Sequence, residues 1–257
     1  MRVVYVIVTA IVASTLAAER EDLTGVIGGS LTTIKNHPYL AALLFSSDLA
    51  FYWQRCVGAI ITSRTALSIG HCFVGDTDYL WRIRVGSSYA NSGGNVHVTA
   101  RIIIHPEINP FQFENDVAVL HSATPFIFSD SIRAGAIAGV NYVLGNNQPL
   151  LAIGWGRNSV NATASEELRQ IQVNYIDMNK CRNIYVTWAM YPSDDMLCSG
   201  WDQANDRQEC QGEQGGPVLH NDVIVGLTSW GLQCLYSQYP GISTRVSSFT
   251  PWIVANA

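Results

Sequence analysis

Short segments in which apolar and polar residues alternate constrain the fold of this 257-residue chain more than any other feature. In WRIRVGSS (81–88), Trp81, Ile83 and Val85 fall on one face, and the two arginines between them fall on the other. The same pattern recurs in VHVTARIII (96–104), LRQIQVNYI (168–176) and DVIVGLTSW (222–230). A period of two residues is typical of half-buried β-strands. We therefore predict an all-β fold, a sandwich or a barrel.

Turns and one helix complete this prediction. Clusters of Gly, Asn and Ser separate the strand-like segments and predict turns or loops, as in ANSGGN (90–95), LGNNQP (144–149) and GRNSVNATAS (156–165). Helical periodicity is convincing only in the terminal SSFTPWIVANA, where Phe249, Trp252 and Ile253 share a face. We expect this helix to start from a Ser or Thr cap, with the proline at an early helical position.

Composition excludes one class of partner. The net charge is −5, only 14% of the residues are charged, and no basic run occurs, so we expect no nucleic-acid partner. The length suits one compact domain, or one fold built of two similar halves.

The N-terminus has the pattern of a secretory signal peptide. Arg2 precedes an almost wholly apolar run, residues 3–18, that ends in small residues, which predicts a signal peptide over 1–18 with cleavage near Ala17 or Ala18. A membrane anchor is the alternative, but the run is shorter than the about 20 residues that usually span a bilayer. We therefore expect a secreted, extracellular protein without a membrane partner.

Six cysteines are present, at positions 56, 72, 181, 198, 210 and 234. An even number in an exported chain indicates three disulfides, although the count alone does not decide the pairing. A zinc site is the alternative, but no CxxC pair occurs, and we expect no metal. Asn161 begins an Asn-Ala-Thr glycosylation sequon.

Several motifs occur in a characteristic order: GHC (70–72), NDVAVL (115–120), CQGEQGGP (210–217), SWG (229–231) and PGISTRV (240–246). This order resembles that of the chymotrypsin-like (S1) serine proteases, and the blocks between the motifs resemble insect digestive trypsins. The resemblance covers nearly everything from Val26 to Ala257. The motif VIGG (26–29) looks like the family's mature N-terminus. It implies a short propeptide over 19–25 and a protease domain over 26–257.

The resemblance also implies a fold and a disulfide pattern. The fold would be two antiparallel six-stranded β-barrels with a C-terminal helix and a site in the cleft between the barrels. The disulfides would be Cys56–Cys72, Cys181–Cys198 and Cys210–Cys234.

Two members of a catalytic triad match the family motifs. In such a site a serine hydroxyl attacks the amide carbonyl, a neutral histidine takes its proton, and a buried aspartate orients the histidine. By resemblance His71 is the base, Asp116 is the orienting acid, and Ser229 braces the aspartate at the edge of the substrate pocket. Backbone N–H groups of Gly212 and residue 214 would receive the oxyanion.

The nucleophile of the family is missing. Where the family has Gly-Asp-Ser-Gly-Gly-Pro, this chain has Gly212-Glu213-Gln214-Gly215-Gly216-Pro217. A carboxamide has no ionisable hydroxyl, and its nitrogen lone pair is delocalised. Gln214 therefore does not serve as a nucleophile in this chemistry.

The positions that the family uses for activation by cleavage and for substrate specificity also differ from the family's pattern. Gly25 stands before Val26, where the family has a basic residue for tryptic cleavage, and Glu213 replaces the aspartate that pairs with the new amine. Gln208 occupies the base of the pocket, where a trypsin carries an aspartate, while Gly231 and Gly241 match positions of the pocket wall.

These departures favour a secreted serine protease homologue without catalysis and without a cofactor. It would act by binding a peptide or protein, such as a protease inhibitor or an active protease. Two alternatives remain open: an active digestive serine endopeptidase, and a structural or storage protein of a secretion.

Overall fold

The computed structural model describes residues 29–156, 165–186, 191–200, 214–231 and 239–257. Within these ranges the strands are β1 (Ser30–Leu31), β2 (Leu40–Phe45), β3 (Trp53–Ile60), β4 (Thr65–Ser68), β5 (Trp81–Val85), β6 (Asn95–Ile104), β7 (Ala118–Ser122), β8 (Ala136–Ile137), β9 (Pro149–Gly154), β10 (Arg169–Ile176), β11 (Met196–Gly200), β12 (Pro217–His220), β13 (Val223–Trp230) and β14 (Gly241–Arg245). The helices are α1 (Met178–Tyr185), α2 (Val246–Ala255) and a 3₁₀ turn at Asp78–Leu80.

The first barrel is formed by β2 to β7. Its strands follow the closed order β2-β3-β4-β7-β6-β5, and each pair is antiparallel. In β5 the side chains alternate as the sequence predicts, because Trp81, Ile83 and Val85 are buried and the arginines between them are not. The apolar face of β5 therefore packs inside the barrel. Strand β6 departs from its predicted pattern, because Val96 and Val98 are exposed and Thr99 is buried.

The second barrel is formed by β9 to β14. β9 pairs with both β10 and β12, which closes the ring β9-β10-β11-β14-β13-β12, and every pair in this ring is antiparallel. Two short strands extend it: β1 pairs with β10, and β8 runs parallel to β13. The prediction of two six-stranded antiparallel barrels is confirmed.

Helix α2 confirms one prediction and corrects another. Phe249 and Ile253 are buried and Trp252 packs against the core, so the predicted face is the one that docks. The expected Ser or Thr cap was wrong, because Arg245 is the N-cap residue and makes no side-chain cap. Strand β14 runs directly into the helix, which therefore begins at Val246 and leaves Pro251 in its interior rather than near its start.

Helix α1 was not predicted from the sequence. Its N-cap is Asp177, whose Oδ1 accepts hydrogen bonds from the backbone N–H groups of Asn179 at 2.9 Å and Lys180 at 3.4 Å. An aspartate that satisfies the first free N–H groups of a helix is the usual local signal of its start. The helix is only two turns long, too short to show a periodic pattern.

Two of the three implied disulfides join described residues. Cys56 in β3 bonds to Cys72, and Cys181 in α1 bonds to Cys198 in β11. The pair Cys210–Cys234, the sequon at Asn161 and the segments 1–18 and 19–25 lie outside the described residues. Of the helices that are described, none has the length and apolar character needed to cross a membrane.

Candidate functional site

Antiparallel pairing brings His71 and Asp116 together. Strand β4 pairs with β7 with Ser68 opposite Ala118, His71 follows the end of β4, and Asp116 precedes the start of β7. The backbone N–H of His71 donates to Asp116 Oδ1 at 2.7 Å, and His71 Nδ1 lies 2.7 Å from Asp116 Oδ2. The Cys56–Cys72 disulfide anchors the residue that follows His71 to the neighbouring strand.

The second barrel completes the surroundings of Asp116. Its carboxylate is fully buried, and Ser229 Oγ in β13 donates to Asp116 Oδ2 at 2.6 Å. Thr244 Oγ1 in β14 donates to the backbone carbonyl of Asp116 at 2.6 Å. The His71–Asp116 pair therefore lies where the two barrels meet. Ser229 was predicted at this place; Thr244 was missed, because no local pattern links residues so far apart in the chain.

The hydrogen bonds assign the tautomer of His71. An ionised carboxylate only accepts, so Nδ1 carries the proton that points to Asp116. In the neutral ring this leaves a lone pair on Nε2. Nε2 is buried and has no hydrogen-bond partner among the described residues. Such a pair can take a proton from a group placed at Nε2.

An aromatic wall stands beside the imidazole. The ring of Phe113 meets His71 edge to face, with centroids 5.1 Å apart, and is stacked with Trp230 at 6.0 Å. Phe113 has a left-handed backbone, with φ of 57°, which turns its side chain back toward the site. Sequence reasoning missed Phe113, because its role depends on this loop conformation.

The backbone at residues 214–216 is held against both barrels. The carbonyl of Gln214 accepts from the N–H of Val57 at 2.8 Å, and the N–H of Gly215 donates to the carbonyl of Thr228 at 2.7 Å. Gly215 has φ of +88°, and a Cβ there would come within 3.0 Å of both Val57 O and Ser68 Oγ. Only glycine fits this close approach.

The side chain of Gln214 does not bond to the imidazole of His71. Gln214 is exposed, and within the part of the chain that is described it makes no hydrogen bond to His71 Nε2. Of the predicted pocket residues, Ser229 and Gly241 are buried and Gly231 is half-buried. The other predicted site positions, Val26, Gln208, Gly212 and Glu213, lie outside the described residues.

The described residues contain no metal-binding cluster: none of them form a group of three or more His, Cys, Asp or Glu side chains suited to an ion. The chemistry that the described geometry offers is that of an imidazole oriented by a carboxylate.

Comparison with known proteins gives the family. The sequence model described as Trypsin matches residues 26–253. Trypsin CFT-1 of Choristoneura fumiferana is 48% identical over 257 residues, which is 100% of both chains. Trypsin, alkaline A of Manduca sexta is 42% identical over 232 residues, 90% of this chain and 91% of that protein.

A solved structure agrees on the fold. The crystal structure of the scabies mite inactivated protease paralogue S-D1 matches with a TM-score of 0.80, covering 89% of this chain and 96% of that chain. At 22% sequence identity this likeness shows the fold alone. The match of the family model and the two trypsins show more: this chain belongs to the trypsin family.

Proposed function

We propose that this protein is a trypsin-family serine protease homologue that binds peptide or protein ligands in its cleft and does not cleave them. The observation that carries the proposal is the glutamine at position 214. It stands where the family motif has the nucleophilic serine, in a backbone held by Val57 and Thr228.

The chemistry of the side chain supports the proposal. His71 can accept a proton at Nε2, but a carboxamide offers no hydroxyl proton whose removal would create a nucleophile. Removing the nucleophile of an analogous triad lowers turnover by about 10⁶-fold and leaves only roughly 10³–10⁴ over water. On this proposal His71 and Asp116 are retained triad members, and Gly212 and Gln214 provide the backbone of an inherited oxyanion site.

The other departures support it independently. Gly25 removes the basic residue before Val26, Glu213 lengthens the partner of the activating amine, and Gln208 removes the negative charge from the base of the pocket. These changes affect activation and specificity as well as attack. The pocket would still be walled by Gly231 and Gly241.

An active digestive endopeptidase is the second candidate. The observation that favours it is the set of relatives named trypsins, one of which is 48% identical over the whole chain. The scabies mite protein named an inactivated protease paralogue has the same fold, so the fold accommodates both outcomes. The residues of the site must decide between the candidates, and they favour binding.

Export is part of the proposal. The apolar run over 1–18 would direct secretion, 19–25 would be a short propeptide, and Asn161 would be glycosylated. The two disulfides among the described residues support export, because disulfides form and persist mainly in oxidising environments outside the cytosol. The ligands would then be other secreted molecules, including protease inhibitors, peptides and active proteases.

Hydrolysis of a broad fluorogenic peptide panel tests the proposal. The secreted protein, its N-terminus verified by sequencing, is compared with a form engineered to begin at Val26. We expect no peptide turnover from either form, and no labelling by an active-site phosphonate. Turnover that co-purifies with the chain would overturn the proposal.

Binding is measured separately, by calorimetry with a loop-type protein inhibitor of trypsins. We expect Phe113→Ala to weaken the complex, because the ring lines the cleft beside His71, and the remote His220→Ala control to leave it unchanged. Failure of the inhibitor and the peptide panel to bind would favour the structural or storage alternative.

Restoring the nucleophile tests whether the departures act together. We expect Gln214→Ser alone to give little tryptic activity, because Gly25, Glu213 and Gln208 remain changed. Strong activity from this single substitution would show that those three positions matter little.

A further inference from the structure

We propose that an exposed aromatic surface of the first barrel is a second docking site, which binds a segment of another protein that presents an apolar side chain beside a carboxylate. The hairpin between β2 and β3, the 3₁₀ turn and the start of β5 form this surface, which we call the hairpin patch: Leu49, Phe51, Trp53, Tyr79 and Arg82. Its residues belong to the first barrel alone, whereas the cleft lies where the two barrels meet. The hairpin patch does not involve residue 214, so it goes beyond the proposed function.

The apolar side chains of the hairpin patch are unusually open to solvent. Four of them are between 52% and 68% exposed: Leu49, Phe51, Trp53 and Tyr79. Two hydrogen bonds join the hairpin to the 3₁₀ turn: Tyr52 Oη donates to the carbonyl of Tyr79 at 3.4 Å, and the N–H of Ser46 donates to the carbonyl of Leu80 at 3.0 Å. Single exposed apolar residues are normal on a protein surface, but a contiguous group of them marks an interaction site.

The tip of the hairpin is held in one conformation. Asp48 Oδ1 accepts hydrogen bonds from Ser46 Oγ at 2.9 Å, from the N–H of Ala50 at 2.9 Å and from the N–H of Phe51 at 3.2 Å. Leu49 has a left-handed backbone, with φ of 62°, which is uncommon for a residue with a side chain. The chain therefore keeps a strained turn that displays apolar side chains to solvent. A rigid display of this kind lowers the entropy cost of binding.

Arg82 supplies a fixed positive charge beside the aromatic rings. Its guanidinium carbon lies 4.7 Å from the centroid of the Tyr52 ring, and its Nη1 donates to the carbonyls of Tyr79 at 3.0 Å and Trp81 at 2.8 Å. Within the described residues its hydrogen bonds use Nη1 alone, which leaves Nε and Nη2 as donors. A guanidinium stacked on a ring is preorganised for a planar acceptor such as a carboxylate.

The aspartates near Arg82 are already engaged elsewhere. Asp48 caps its own turn, Asp76 pairs with Arg55 at 3.3 Å, and Asp78 Oδ1 accepts from the backbone N–H of Ile102 at 3.0 Å. In the part of the chain that the structure describes, no carboxylate pairs with Arg82. The charge that complements Arg82 therefore comes from the partner.

The composition of the hairpin patch favours a protein partner. Trp, Tyr and Arg are the residue types most enriched among those that dominate protein–protein binding energy, and lysine is depleted at such interfaces. An anionic membrane would instead select an apolar tip surrounded by basic groups. Here Asp48 and Asp76 adjoin the tip and oppose such a surface. A peptide segment with an apolar anchor on the rings and a carboxylate on Arg82 satisfies both features.

Selection from a phage-displayed library of random peptides, on the immobilised full chain, tests the inference. We expect enrichment of sequences in which an aromatic or aliphatic residue lies close to an acidic one. The most enriched sequence is then synthesised and titrated by calorimetry. Loss of a dominant interface side chain weakens a complex by roughly 30-fold or more, so Phe51→Ala and Trp53→Ala should each do so. Both substitutions change exposed side chains, and thermal melting verifies that the variants are folded.

A double-mutant cycle tests the carboxylate. Replacing the acidic residue of the peptide by its amide should weaken binding to the wild type by roughly 10-fold or more, since a hydrogen bond between charged groups is lost. The same change in the peptide should have a much smaller effect on binding to Arg82→Gln. The amide peptide leaves the protein unaltered, so the first comparison does not depend on how Arg82→Gln folds. Equal affinities of the acidic and amide peptides would overturn the assignment of a carboxylate to Arg82.

A matched control and the cleft separate this surface from others. Val143→Ala truncates an apolar side chain between β8 and β9 that is 82% exposed, and it should bind the peptide as the wild type does. A peptide whose affinity falls in Phe113→Ala and not in Trp53→Ala occupies the cleft. If every enriched peptide behaved in this way, or if none were enriched, the inference would be overturned and the proposed function would be unaffected.

The remaining outcomes concern other occupants. Loss of peptide binding in Trp53→Ala would support the hairpin patch whether or not the cleft binds an inhibitor. Sedimentation measures self-association of the full chain, and flotation measures its adsorption to vesicles of phosphatidylcholine and phosphatidylserine. Either property, if abolished by Trp53→Ala in the absence of a peptide that binds the hairpin patch, would assign the surface to a second copy or to lipid and overturn the inference.

Discussion

Replacement of Gly215 by alanine should be among the most damaging single methyl additions to this protein. The residue has φ of +88°, and the added Cβ would come within 3.0 Å of the Val57 carbonyl oxygen and of Ser68 Oγ. A side chain in the left-handed region costs about 1–2 kcal/mol. The clash is with backbone, so the segment must also move and weaken the bonds Gln214 O···Val57 N and Gly215 N···Thr228 O, which contribute about 0.5–1.5 kcal/mol each. Together these effects predict a loss of about 3 kcal/mol.

Substitutions at two other glycines separate the cost of the left-handed backbone from the cost of the clash. Gly75 has φ of +87° with nothing within 4 Å of an added Cβ, so Gly75→Ala should show the backbone cost alone, about 1–2 kcal/mol. Gly139 has neither a positive φ nor a neighbour within 4 Å, so Gly139→Ala should lie within about 0.5 kcal/mol of the wild type.

The assay is equilibrium urea unfolding, with thermal melting as a second measure. For a protein of about this size each kcal/mol lowers Tm by roughly 2–4 °C, so Gly215→Ala should melt roughly 6–12 °C below the wild type. If Gly215→Ala were no less stable than Gly75→Ala, the close approach of residue 215 to the first barrel would be refuted.

Three further predictions concern bonds and titrating groups. Replacing Cys181 and Cys198 together by alanine should cost about 2–5 kcal/mol, because it frees a loop with a sequence separation of 17, and an unchanged urea midpoint would contradict a structural role for the bridge. Burial lowers the pKa of His37, so the unfolded chain binds a proton at this residue more readily than the folded chain does. The free energy of unfolding should therefore keep its full value above pH ~6.5 and decrease as the pH drops toward the folded pKa. In His37→Gln this decrease should be smaller. Hydrogen bonds from the backbone N–H of Ala50 and from the Ser46 hydroxyl lower the pKa of Asp48. Asp48→Asn should therefore be less stable than the wild type above pH ~3.9, and the two proteins should become equally stable as the pH falls through the folded pKa. A difference in stability that persists in acid would refute this.

Local pattern accounted for much of the architecture. The alternation in 81–88 predicted β5 and its buried face, and the face of Phe249 and Ile253 predicted how α2 docks. These features depend on residues that are close in the chain, since a period of two or of 3.6 residues is visible within one short segment. Helix α1 escaped prediction because two turns carry too little periodicity, and the start of α2 was misplaced because β14 continues directly into it.

The sequence by itself determined the strand pattern and the order of the motifs, and its glutamine at position 214 is the basis of the proposal that the site does not cleave peptides. The resemblance already placed Ser229 against Asp116, but the tertiary structure alone decided that Thr244, 128 positions from Asp116, donates to its backbone carbonyl from the second barrel. It also decided that Phe113 turns back onto His71. These contacts depend on the register of strands in two separate barrels and on the conformation of one loop, and such long-range geometry leaves no periodic trace in the sequence.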